Sequence, residues 1–158
     1  MRVLFVCKGN RFRSMSSELL AKQYCNKNNI SIFEFESAGI SASPKIGPTE
    51  DIKNKLKSIS IDYSKHIPKK VNQKLLDNND LIIAMGKNHQ DFLKKEFNQE
   101  SILFNELIYG EKTSVGDVEE IIWDYENKPE IVKQFVNDTI EHIKNSIPKL
   151  IKTLIKNQ

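Results

Sequence analysis

The order of hydrophobic patterns along the chain predicts an α/β fold: a small three-layer sandwich in which a four-stranded parallel sheet carries helices on both faces. Three observations lead there. Short apolar runs of strand length alternate with segments of helical spacing, and such alternation is met by parallel strands joined through right-handed crossovers. The runs VLFV and LIIAM are apolar at consecutive positions, as in strands buried on both faces. With 158 residues, 39% of them hydrophobic, the chain is long enough for one core, so residues 1–158 are expected to form a single domain.

Each element follows from its local pattern. RVLFV (2–6) is the first strand, and Ser14 to about Lys27 shows helical spacing at Leu19, Leu20 and Tyr24, with Ser14 suited to the N-cap. ISIFEFESAG (30–39) alternates apolar and polar residues before a glycine and predicts a second strand. ISASPKIGPTE, with Pro44, Gly47 and Pro48, predicts a loop. A helix is expected to start at Asp51 and run through Leu56, with a shorter one around Asn72 to Leu76. DLIIAMG (80–86) predicts a buried strand, residues 87–97 a helix, and SILFNELI (101–108) the last strand. Residues 109–129 predict a long loop. The remainder places Ile131, Phe135, Val136, Ile140, Ile143 and Ile147 on one side of an amphipathic helix that Pro148 should kink.

Composition narrows the function. A formal net charge of +3 is too small to argue for nucleic acid, and the only arginines are Arg2, Arg11 and Arg13. No apolar run approaches the ~20 residues of a membrane-spanning helix, and the start lacks the apolar core of a secretory leader. Two cysteines, Cys7 and Cys25, are too few for a secreted disulfide scaffold, so a reduced, cytoplasmic protein is expected. His66, His89 and His142 show no metal-ligand spacing, and no metal or cofactor is expected.

The chemistry concentrates between the first strand and the first helix, in CKGNRFRS (7–14). In a parallel sheet, sites form beyond the carboxyl ends of the strands, where Cys7 stands. A loop wrapping onto a helix N-terminus turns backbone N–H groups inward and creates an anion site. Gly9 and Asn10 are the residues best able to adopt the left-handed conformation this turn needs. The positive helix end draws a thiol toward its nucleophilic thiolate. Arg13 can chelate two phosphoryl oxygens with its planar fork, and Ser14 can donate a hydrogen bond to the sulfur. Cys7 and Arg13 are therefore candidate catalytic residues. Lys8, Gly9, Asn10, Arg11, Phe12, Arg13 and Ser14 form the candidate phosphate-binding loop.

VLFVCKGNRFRSMSSE resembles the phosphate-binding loop of the low-molecular-weight protein-tyrosine phosphatase family, usually VLFVCxGNxCRSPxAE. SAGIS (37–41), which contains Ser37, resembles the family's SAGxS; SIDYSKH (60–66) resembles GIDxSxH, and DLIIAM (80–85) resembles DLILxM. The resemblance implies a cysteine-dependent phosphatase that hydrolyses phosphotyrosine, or a related phospho-residue of a protein or peptide, through a phosphocysteine. Ser37 is implied as a supporting residue. Phe12 stands where the family usually has a second cysteine, Arg11 where it has a small or branched apolar residue, and Gly86 where it often has an aspartate.

The family's general acid lies in an Asp-Pro pair on a late loop, and this chain has no Asp-Pro. SVGDVEEIIWDYENKPE (114–130) offers Asp117 and Asp124. Asp124 follows an apolar stretch and precedes the last helix by an interval like the family's, so it is the expected acid, with Asp117 as the alternative. Two other functions keep the same loop: a thiol-linked arsenate reductase and a non-catalytic phosphate-binding module. Phe12 and the lack of any cysteine after Cys25 argue against the first, which needs a relay of thiols. The missing Asp-Pro is what makes the second conceivable.

Overall fold

The computed structural model describes residues 1–157. Strands β1 (Arg2–Cys7), β2 (Glu34–Gly39), β3 (Leu81–Ala84) and β4 (Ile102–Leu103) form one parallel sheet in the order β2-β1-β3-β4. Helices α1 (Arg13–Lys27), α2 (Glu50–Ser58), α3 (Gln73–Asp77), α4 (Lys87–Phe97), α5 (Phe104–Tyr109), α6 (Val118–Ile121) and α7 (Pro129–Lys156) connect and cover it. The expected sandwich is therefore the one observed.

The unbroken apolar run of β1 is explained by its two neighbours and two faces. Val3, Phe5 and Cys7 enter one core, shared with α1, α2, α5 and α7. Leu4 and Val6 enter the other, with Leu76 of α3 and Leu93 of α4. Each buried aliphatic or aromatic side chain is worth roughly 1.5–3 kcal/mol relative to exposure. A strand apolar at five consecutive positions is thus held from both sides. Because β2 and β3 flank β1, the chain leaves β1 toward one side and returns on the other. The gap beyond its carboxyl end is the switch point where open parallel sheets bind ligands. Cys7 ends there.

Several boundaries differ from expectation. Ser14 does not cap α1: the N-cap is Phe12, without a side-chain cap bond, and Ser14 sits in the first turn. The second strand is shorter than its apolar alternation, beginning at Glu34. The run SILFNELI pairs as a strand only at Ile102–Leu103 and then becomes α5. Phe104 and Ile108, one helical turn apart, are both buried, and Gly110 ends the turn in the left-handed conformation (φ 77°). Residues 109–129 hold α6 and a 3₁₀ turn at Tyr125–Asn127. The last helix continues through Pro148.

Candidate active site

The loop after β1 is built around Asn10. It takes the left-handed conformation (φ 53°), one of the two positions that sequence allowed, while Gly9 does not. Its side chain is buried and fully used: Nδ2 donates to Ser14 Oγ (3.0 Å) and Ser37 Oγ (2.8 Å), and Oδ1 accepts from the Lys69 amide (3.0 Å). Its carbonyl accepts from His66 Nε2 at 2.7 Å, which fixes the proton on that nitrogen. Ser37 in turn donates to Glu18. Gly39 completes the support. A Cβ there would lie 2.5 Å from the Lys8 carbonyl oxygen and 2.8 Å from the Asn10 nitrogen, so only glycine lets β2 back this closely onto the loop.

Cys7 Sγ faces the centre of this turn. It lies 2.9 Å from Ser14 Oγ and 3.3 Å from the Asn10 amide nitrogen, which donates to it. Asn10 Nδ2 occupies a lone pair of Ser14 Oγ, and the one proton of that hydroxyl has two acceptors in reach, the Cys7 sulfur and the Ala38 carbonyl at 3.3 Å. The sulfur opens into a cleft of about 370 Å³. Lys8, Gly9, Arg11, Phe12 and Arg13 also line it, together with Asp117, Tyr125 and apolar side chains such as Ile46 and Val132. Since no side chain caps α1, its first N–H groups lack side-chain acceptors, and an anion can satisfy them.

Arg13 is buried, its side chain about 1% exposed where it meets the cleft. Nη1 donates to the Val115 carbonyl (2.8 Å) and Nη2 to Asp117 Oδ2 (2.7 Å), with Glu120 3.7 Å away. Asp117 Oδ1 accepts from the Val118 amide, and Glu120 reaches back to the Asp117 amide at 3.1 Å, a reciprocal cap on α6. The Val115 amide bonds to the Met85 carbonyl, tying this loop to the end of β3. Across the cleft mouth, Lys8 Nζ donates to Glu119 at 2.8 Å, and that bond raises the lysine's pKa above its ordinary value.

Behind Arg13 lies His89, buried with neither ring nitrogen partnered among the described residues. Burial first, then the charges of Arg13 and Lys8, pushes its pKa down to about 3. Gly86 admits it: a Cβ at that position would lie 2.7 Å from Asn88 Oδ1 and 3.2 Å from the His89 ring.

The structure thus brings together Cys7, Lys8, Gly9, Asn10, Arg11, Phe12, Arg13, Ser14 and Ser37. It does not bring Asp124 to them. Asp124 is exposed, in the left-handed conformation (φ 56°), and accepts from Asn127 at 2.8 Å. Trp123 beside it is 84% exposed, and the aromatic of this segment that lines the cleft is Tyr125. Asp117 is the carboxylate at the guanidinium. The signal for it was local: Asp117-Val-Glu-Glu120 spells a helix-capping pattern, which would have placed its backbone at the start of a turn. Glu18, Glu119 and the Val115 carbonyl carried no signal of their own.

The family model for low molecular weight phosphotyrosine protein phosphatases matches residues 2–158. The chain belongs to that family. A low molecular weight protein-tyrosine-phosphatase, Ptp, of Acinetobacter johnsonii is 41% identical over 95 residues, which span 59% of this chain and 62% of the relative. A protein-arginine-phosphatase of Bacillus subtilis is 25% identical over 155 residues, 96% of this chain and 97% of that one. A solved cysteine-to-serine mutant of the YwlE arginine phosphatase, with that active-site serine phosphorylated, superposes with a TM-score of 0.86, covering 100% of this chain and 98% of that one. At 22% identity that last likeness concerns the fold.

Proposed function

We propose that residues 1–158 form one catalytic domain, a cysteine-dependent phosphatase that hydrolyses phosphotyrosine in protein or peptide substrates. The observation that carries this reading is a single cleft into which Cys7 Sγ, the Arg13 side chain and Asp117 all open. Cys7 sulfur attacks phosphorus in line with the leaving oxygen. Arg13 exchanges the Asp117 carboxylate for two phosphoryl oxygens, and the loop N–H groups share the remaining charge. The freed Asp117, protonated in that state, gives its proton to the phenolic oxygen as the P–O bond breaks. Asp117 then accepts a proton from water as the water oxygen attacks phosphocysteine, and the P–S bond breaks to release phosphate. Ser14 eases that departure by its hydrogen bond to sulfur. In a solved mutant of the YwlE arginine phosphatase, the serine that replaces the active-site cysteine is phosphorylated, which supports a covalent route at this loop.

Three further features support the assignment. The apolar side chains Ile46, Ile52, Tyr125, Val132 and Val136 suit a phenyl ring above the loop. Phosphoarginine carries a positive guanidinium beside its phosphorus, and Arg11 at the same rim disfavours it, so phosphotyrosine is the substrate proposed. A thiol nucleophile works in a reducing compartment, which supports a cytoplasmic location.

The test is hydrolysis of a phosphotyrosine peptide and of p-nitrophenyl phosphate by the unmodified protein and by Cys7→Ser. Turnover is expected in the first and lost in the second, with phosphate binding retained. Hydrolysis persisting in Cys7→Ser would overturn the mechanism.

A further inference from the structure

Three basic side chains line the cleft, and two are already neutralised. Arg13 is bonded to Asp117 with Glu120 near, and Lys8 is bonded to Glu119. Arg11 has no carboxylate within 4.0 Å among the described residues. Its side chain folds back along Gly9, where a Cβ would lie 3.4 Å from both its Cγ and its Nε. Its guanidinium reaches only the Gly47 carbonyl, at a long 3.5 Å. Half-buried, it can neither bury its charge nor give it wholly to solvent. The hydroxyls of Ser41, Ser43 and Thr49 line the same cleft and offer further donors.

The cleft is therefore electrically lopsided. One wall, residues 117–120, presents three carboxylates against the two cations Arg13 and Lys8. The other presents an unpaired cation among hydroxyls. We propose that Arg11 and this wall form a second anion subsite that takes the carboxylate side chain of an acidic residue flanking the phosphotyrosine. The inference rests on the phosphatase reading for its substrate and adds the sequence context that the substrate must have. Arg11 is a specificity residue here: an aspartate or glutamate beside the phospho-residue gains its charge, and a lysine there meets like charge.

The test uses phosphotyrosine peptides identical except for flanks of Glu, Gln or Lys. Dissociation constants are measured on Cys7→Ser, and kcat/KM on the catalytically intact chain. Glu flanks should bind about three- to fivefold more tightly than Gln flanks at low ionic strength. That ratio should fall below about twofold in Arg11→Gln and invert toward Lys flanks in Arg11→Glu, an inversion that misfolding cannot imitate. Equal affinity for Glu and Gln flanks, or a preference that survives Arg11→Gln, would overturn the proposal. A preference seen in binding with no turnover would refute the phosphatase reading and leave the subsite standing.

Discussion

The loop of residues 7–14 and the segment of residues 115–128 meet at one guanidinium, yet they are held in different ways. The first is rooted in the core: Asn10, Arg13 and Ser14 are buried, and Asn10 alone makes polar contacts with Cys7, Ser14, Ser37, His66 and Lys69. The second is anchored at one end by the Val115 amide and Arg13, and beyond Glu120 it is mostly exposed. The nucleophile and the phosphate clamp thus belong to the more buried part, and the proton-transfer group to the anchored but partly exposed end of the other. Chemistry that needs in-line attack within a fraction of an ångström suits the former. A carboxyl group that must change partner between two steps suits the latter.

The largest effect that separates the two regions concerns the acid. Asp117→Asn should lower kcat on a phosphotyrosine peptide by about 10²- to 10⁴-fold, and less on p-nitrophenyl phosphate, whose leaving group needs no proton. Asp124→Asn should stay within about twofold, as for an exposed side chain bonded only to its own turn. Equal losses in both would return Asp124 to the site. Next comes the support of the more buried loop. In Gly39→Ala the new methyl meets backbone on the Lys8–Asn10 turn, and the turn must shift. A loss of about 1–3 kcal/mol in stability is expected, together with a fall in kcat/KM. Chemical denaturation and steady-state kinetics on one sample check both.

His89 gives a smaller effect at ordinary pH, with a definite sign. The unfolded chain protonates this ring below its ordinary value of 6.5, whereas the fold refuses the proton until about 3. The unfolded state therefore binds more protons across that window, and stability falls as pH falls through it. At pH 5 the loss is about 2 kcal/mol. His89→Leu should flatten this acid limb in denaturation curves recorded from pH 7 to pH 4, and an unchanged limb would exclude the ring as its cause. The smallest effect is that of Glu119→Gln. The Lys8–Glu119 pair is nearly half-exposed on both sides, so its loss should change kcat/KM by no more than about fivefold, less at high salt.

What sequence could reveal follows from how local each cause is. The Cys7–Ser14 loop was legible because a strand, a turn residue with access to positive φ and a helix start are adjacent in the chain. Strand β1 was legible because burial on both faces leaves an unbroken apolar run. The partner of Arg13 was not legible, because Asp117 lies 104 residues away in a segment without periodicity. An interval counted from the last helix pointed to Asp124, and α6 with the following 3₁₀ turn lengthens that interval. The last strand was overestimated because ILF continues the strand's apolar pattern while Phe104 and Ile108 also satisfy a helical one. There the choice was made by packing of α5 against α7.

The central claim is a phosphoryl group carried on Cys7 and removed with the help of Asp117. It is tested most directly by acid quenching during turnover of p-nitrophenyl phosphate, followed by mass spectrometry of the Cys7 peptide. The peptide should carry one phosphoryl group, at higher occupancy in Asp117→Asn than in the unmodified protein, because formation there outpaces hydrolysis. A phosphoryl group found on another residue, no phosphorylated peptide while turnover proceeds, or accumulation in Asp124→Asn but not in Asp117→Asn, would contradict it.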